Sequence, residues 1–177
     1  FVKVLPQKSL LIAYQRYQYF GRPMFFSQKR QKLHYRALLL FPNGKTKTLE
    51  LGTAKQIEQK IQKALVATAN GFADAQKLWT EVSELVIKPL AKETAESKTW
   101  FIAPDAELNR IPFAALSAPQ GDGFLGESLN LRLITTVQEL LDLFKGSKKP
   151  TQKSLVVANP SFDLKGTIPS TKQSSWT

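Results

Sequence analysis

Side chains able to do chemistry are sparse in this sequence, which holds one histidine, His34, and no cysteine. A zinc site of Cys and His ligands, a Cys-His dyad and a Ser-His-Asp triad would all compete for that single imidazole. His34 lies between Leu33 and Tyr35 with no carboxylate close in sequence to orient it, and reads as a surface or structural histidine rather than a general base. Asp105 and Glu107 are the nearest approach to a carboxylate pair, although isolated acids at a strand end usually shape a turn. No serine stands in a G-x-S-x-G elbow or an S-x-x-K pair, so nucleophilic catalysis has no seat. Gly121-Asp122-Gly123-Phe124-Leu125-Gly126 spells the dinucleotide fingerprint, but that motif works by joining a strand to a helix whose amides meet the pyrophosphate. Here Pro119-Gln120 precedes it and an apolar stretch around Leu131 follows, so it reads as a glycine-rich turn. Gly44-Lys45-Thr46 likewise reads as part of a hairpin, because the first glycine of a phosphate loop would fall at Leu39. Neither a metal nor an organic cofactor is expected.

The charge is uneven. The chain has 177 residues with 25 Lys plus Arg against 14 Asp plus Glu, a formal net charge of +11. Residues 1–66 hold 13 basic and 2 acidic side chains, and the remainder holds 12 of each, so the whole excess is N-terminal. Arg16, Arg22, Lys29, Arg30 and Lys32 form a candidate basic docking surface, interleaved with Tyr14, Tyr17, Tyr19, Phe20, Phe25 and Phe26. That mixture suits a single-stranded nucleic acid platform. It equally describes strand-core aromatics beside a solvated edge that resists aggregation, or a surface for an acidic protein. At 42% hydrophobic and 22% charged, the composition is that of a globular chain of one domain or two small ones. No apolar run approaches the roughly 18 residues of a membrane span, so no membrane partner is expected. The start, Phe1-Val2-Lys3-Val4, has neither Met nor a signal-peptide pattern and reads as the start of an excised piece. The lack of cysteine fits a reducing cytoplasm without requiring one.

The elements that must position these residues are legible from periodicity. Residues 9–20 read as a long strand, 21–32 as a basic loop, and 33–41 as a second strand that Pro42-Asn43-Gly44 turns into a third at 46–51, making a meander. Thr53 and Gln56 are spaced as a capping box, with Ile57, Ile61 and Leu65 behind them on one stripe of a helix ending near Ala69 at Asn70-Gly71. Leu78, Val82, Leu85, Val86 and Leu90 mark a second helix that Pro89 should stop. Strands follow at 99–103 and 131–135, then a helix over 137–145 capped by Thr136 and Glu139. Residues 146–153 read as a linker and 154–158 as a further strand, before a Pro-, Ser- and Thr-rich end. Strands alternating with helices after a meander give an α/β fold with a mixed sheet.

From Leu78 onward the order of features resembles the CHAT domain, a caspase-like domain related to the caspase and separase group of cysteine peptidases and found behind tetratricopeptide repeats. Leu85 to Leu90 looks like the family's helix ending in Pro-Leu, and Trp100-Phe101-Ile102-Ala103-Pro104-Asp105 like its strand and Pro-Asp turn. Leu108, Ile111, Pro112, Phe113, Ala115 and Leu116 match an L-x-x-[LI]-P-F-x-A-L signature. Gly123-Phe124-Leu125-Gly126-Glu127 is similar to the family's glycine, aromatic and acidic turn, and Asn159-Pro160-Ser161-Phe162 to its Asn-Pro-x-Phe turn. The resemblance implies a caspase-like mixed sheet flanked by helices, with residues 1–145 as the non-catalytic pseudo-peptidase half and 154–177 as the truncated start of the catalytic half. It implies that the catalytic His, in a His-Gly motif, and the Cys nucleophile both fall beyond Thr177. The chain alone would be inactive, serving a structural or regulatory role. Its expected partners are the downstream catalytic half, a protein substrate and tetratricopeptide repeats or a regulatory protein; the alternative is a basic α/β module for nucleic acid or an acidic protein.

Overall fold

The computed structural model describes residues 5–19, 32–119, 123–136 and 139–142. The chain divides into two compact units, Phe1–Gly146 and Ser147–Thr177, and every described residue lies in the first. The expected strand at 154–158, the Asn159-Pro160 turn and the cations Arg22, Lys29 and Arg30 fall outside the described residues.

A five-stranded mixed sheet forms the frame. Strands β1 (Ser9–Tyr19), β2 (Lys32–Leu40) and β3 (Thr46–Thr53) make the antiparallel meander, while β4 (Thr99–Ala103) and β5 (Asn130–Leu133) add in parallel, giving the order β3-β2-β1-β4-β5. The β2–β3 turn closes through the Gly44 amide on the Phe41 carbonyl at 2.9 Å. Only Gly44 of the Asn-Gly pair takes a positive φ, +82°, so the connection is a three-residue turn rather than a two-residue one. Between Tyr35 and Arg36 the β2–β3 register shifts by one residue, and Gly52, at φ +113°, absorbs the resulting bulge.

β1 is central, and successive side chains serve opposite faces. Leu10, Ile12 and Tyr14 join Tyr35, Ala37 and Leu39 under two helices, α1 (Ala54–Ala69) and α2 (Ala75–Val86). Leu11, on the other face, packs with Leu5, Phe101, Ala103, Ile134 and Leu140. A fully buried Leu or Ile contributes about 1.5–3 kcal/mol, against roughly 0–1 kcal/mol for a surface ion pair, so these two apolar layers hold the fold.

The helix ends differ from expectation in instructive ways. Thr53 makes no side-chain cap, because β3 runs straight into α1 and Thr53 is still a strand residue paired with His34. The expected cap at the later helix does form: the Thr136 hydroxyl accepts from the Glu139 amide at 3.1 Å and the Glu139 carboxylate accepts from the Thr135 amide at 2.7 Å. Residues 139–142 are the described part of that helix. At the end of α1 the Gly71 and Phe72 amides return to the Thr68 and Ala67 carbonyls, a Schellman motif with Gly71 at φ +66°. The buried stripe of α2 is Trp79, Val82, Ser83 and Val86, with Leu78 and Leu85 only half-buried. Polar anchors turn the helix this way: Trp79 Nε1 donates to Thr68 Oγ1 at 2.9 Å, and Ser83 Oγ to the Ser117 carbonyl at 2.8 Å.

Pro89 stops α2 as its lack of an amide requires. The Val86 carbonyl loses its helical partners, since Pro89 has no N–H and the Leu90 amide goes to the Ile87 carbonyl at 2.9 Å. The Tyr14 hydroxyl fills that vacancy, donating to the Val86 carbonyl at 2.9 Å. After α2 come a 3-10 turn (Lys88–Leu90) and the short helix α3 (Ala91–Thr94).

Candidate functional site

The stretch after β4 is a staple across the helical layer. It runs through two 3-10 turns, Ala106–Arg110 and Phe113–Ala115, before the four-residue helix α4 (Leu125–Ser128). Leu108, Ile111, Phe113, Leu116 and Leu125 are all buried in the helix-side core, and the Phe113 ring stacks on Tyr14 with centroids 5.8 Å apart. Pro104 is half-buried and Pro112 exposed. The Leu125 amide donates to the Leu116 carbonyl at 2.8 Å and the Ala118 amide to the Gly123 carbonyl at 3.0 Å, folding 116–125 back on itself. Gly123 sits at φ +106°, a conformation that strains any side chain, and a Cβ there would meet Glu127 Oε2 at 2.8 Å, displacing that carboxylate. The Glu127 carboxylate accepts from the Phe124 amide at 2.9 Å. At Gly126 a Cβ would stand 3.0 Å from Ala114 Cβ. Hydrophobic anchors and two tight glycines make this a positioning device, and the dinucleotide spelling is a turn at the described positions.

What it positions is a cleft of about 660 Å³ where the staple meets the start of α1 and the far half of the β1–β2 hairpin. β1 pairs with β2 from Leu11 to Tyr19 but with β4 only over Ser9 to Ala13, so among the described residues no strand flanks that side beyond Ala13. Asp105 substitutes for one: its carboxylate accepts the Arg16 main-chain N–H at 2.8 Å. The Arg16 side chain then donates through Nε to Glu58 Oε1 at 2.8 Å, and the Tyr35 hydroxyl donates to the same oxygen at 3.1 Å. On the opposite wall, Arg110 Nη1 donates to Glu107 Oε2 at 2.9 Å and Gln62 Oε1 at 3.3 Å. Burial, and next to it the Glu58 carboxylate, pushes the Tyr35 hydroxyl above its ordinary value, which keeps it a protonated donor. Both cleft carboxylates are therefore committed, and Asp105 and Glu107 serve separate partners. Lys32 and Lys55, also on the lining, make no ion pair among the described residues. The first turn of α1 carries no acidic side chain to offset them.

Of the candidate docking cations, Arg16 and Lys32 come together in this cleft. Of the interleaved aromatics, Phe20, Phe25 and Phe26 lie outside the described residues, and the three tyrosines go elsewhere. Tyr14 is core, and burial drives its hydroxyl pKa far up. Tyr17 and Tyr19 lie on the opposite face of the hairpin, where His34 stacks on Tyr19 at 4.9 Å and meets Tyr17 edge-on at 6.2 Å. Arg36 covers the Tyr17 ring at 4.7 Å while holding Gln15 through Nε at 2.9 Å. The Tyr17 hydroxyl bonds the Glu50 carboxylate; burial first and that bond second push its pKa up to about 12. Sequence reasoning missed Lys55, Glu58, Gln59 and Gln62; their signal was the polar side of α1 flanking the Ile57–Ile61 stripe.

The CHAT domain family model matches residues 74–176, more than half of the sequence. The chain belongs to the CHAT family. That is a caspase-like, peptidase-associated family, and the mixed sheet with flanking helices is consistent with its α/β fold. No curated protein matches the chain. The CHAT match begins one residue before α2, so it takes in the staple with Glu107 and Arg110, whereas Arg16, Lys32, Lys55 and Glu58 precede it. The cleft thus joins CHAT residues to the N-terminal meander, as the sheet does through the β1–β4 pairing. Among the described residues no group of three or more His, Asp and Glu comes together as a metal site, and no helix is long and apolar enough to cross a membrane.

Proposed function

We propose that this chain forms the non-catalytic part of a CHAT-family cysteine endopeptidase acting on protein substrates inside the cell. Residues 1–145 act as the pseudo-peptidase half, 146–153 as a linker, and 154–177 as the opening of the catalytic half. The observation that supports this is a CHAT match over residues 74–176 in a sequence that holds no thiol. In a cysteine peptidase a histidine takes the thiol proton, the thiolate attacks the peptide carbonyl and backbone amides hold the oxyanion. None of these 177 residues can supply the sulfur, and His34 is held among tyrosines rather than beside a carboxylate. The catalytic His and Cys come from residues outside the sequence, and this half supports their sheet and receives control from tetratricopeptide repeats or a regulatory protein.

The encoded sequence after Thr177 is the direct test, with a His-Gly pair and then a Cys expected. A reading frame that continues as a domain without a Cys overturns the proposal. The purified 177-residue chain is expected to cleave no protein substrate, and peptide-bond hydrolysis by it alone would also sink the reading.

A further inference from the structure

We infer that the cleft between the β1–β2 hairpin and the start of α1 is a binding site for an acidic peptide segment of another protein. This does not depend on where the catalytic His and Cys lie. Within the cleft the two carboxylates are neutralised internally, Glu58 by Arg16, with the Tyr35 hydroxyl also donating to it, and Glu107 by Arg110. The charge left over is that of Lys32 and Lys55, both exposed and both without an ion-pair partner among the described residues. They stand on a lining that also offers Leu33, 39% exposed, as an apolar contact. A volume of about 660 Å³ accommodates several residues of extended chain, and is open to a ligand with carboxylates spaced around an apolar side chain.

The same lining disfavours single-stranded nucleic acid. Base recognition without sequence preference needs aromatic faces along a continuous positive track. Among the described residues no aromatic side chain lines the cleft; Tyr14 is in the core and the faces of Tyr17 and Tyr19 are turned to the opposite side of the hairpin, engaged by Arg36 and His34.

The test is fluorescence anisotropy of the 177-residue chain with a labelled peptide of alternating Asp and Glu around one Leu. An unlabelled single-stranded oligonucleotide of equal charge serves as competitor. The Lys32→Gln, Lys55→Gln double variant is expected to weaken peptide binding about tenfold, the scale of two moderately exposed charge contacts. Lys77→Gln, on the exposed side of α2, removes a charge away from the cleft and is expected to change affinity less than twofold. Circular dichroism of each variant confirms that the fold is retained. Three outcomes overturn the inference: no binding of the acidic peptide, equal weakening by Lys77→Gln, or tighter binding of the oligonucleotide with the same dependence on Lys32 and Lys55.

Discussion

Tyr14 and Tyr17 lie three residues apart on one strand, each with a hydroxyl that donates to an oxygen, and removing those hydroxyls should have very different costs. Tyr14→Phe deletes the donor to the Val86 carbonyl in the core, a bond of 2.9 Å. The stacked ring on Phe113 stays, so the change isolates the hydrogen bond. Its net worth is about 1 kcal/mol, and leaving the buried carbonyl unsatisfied raises the cost to about 1–3 kcal/mol, because Pro89 and Leu90 offer no replacement donor. That corresponds to a fall of roughly 3–12 °C in Tm for a unit of this size. Tyr17→Phe deletes a bond to Glu50 at the half-buried surface, where water takes the place of the hydroxyl, and should cost less than about 0.5 kcal/mol. Urea unfolding followed by far-UV circular dichroism, with equal m-values as the check on two-state comparison, measures both. If the two variants lose the same stability, or Tyr14→Phe loses under about 0.5 kcal/mol, the account of how α2 ends is wrong.

Gly126→Ala should destabilise the protein by about 1–3 kcal/mol through the contact with Ala114, measured by the same unfolding experiment. The pH dependence follows from Tyr17. Its folded pKa of about 12 exceeds the unfolded value of 10.0, so its protonated form contributes stability that is complete below pH 10 and is lost as pH rises toward 12. Stability measured across that window should fall less steeply in Tyr17→Phe than in the wild type, and an identical slope would remove Tyr17 as a cause.

The locally encoded parts of the fold were legible in the sequence. Residues 9–20 and 33–41 alternate or run apolar as strands, Asn43-Gly44 turns them, and Ile57 and Ile61 fall on one stripe, so the meander and α1 follow from short-range pattern. Periodicity of two placed Tyr14 and Tyr17 on opposite faces without saying which face would be core. Position along the chain decided what pattern could not: β1 becomes central only because β4 joins its other edge, and Ser83 is buried because Ser117 returns to meet it. The cleft was hardest to read. Arg16 and Glu58 are 42 residues apart, and Arg110 and Gln62 are 48 apart, with nothing in either local sequence to announce the pairing. Part of the resemblance that pointed to CHAT lay in the staple, whose buried Leu108, Phe113 and Leu116 show what that spacing does physically: it clamps the helical layer to the sheet.

The two edges of β1 also differ in when they can be satisfied. Its β2 edge closes within a hairpin, but its β4 edge waits for Thr99, 90 positions after Ser9, to be synthesised. At the ribosome, β1, β2, β3 and both long helices emerge before that partner exists. Throughout that interval Leu10, Leu11 and Ile12, buried in the finished protein, border an open strand edge able to pair with another chain. Closing the parallel seam therefore carries the longest sequence separation of any strand pairing within β1, and until it closes the nascent chain offers an edge to its neighbours.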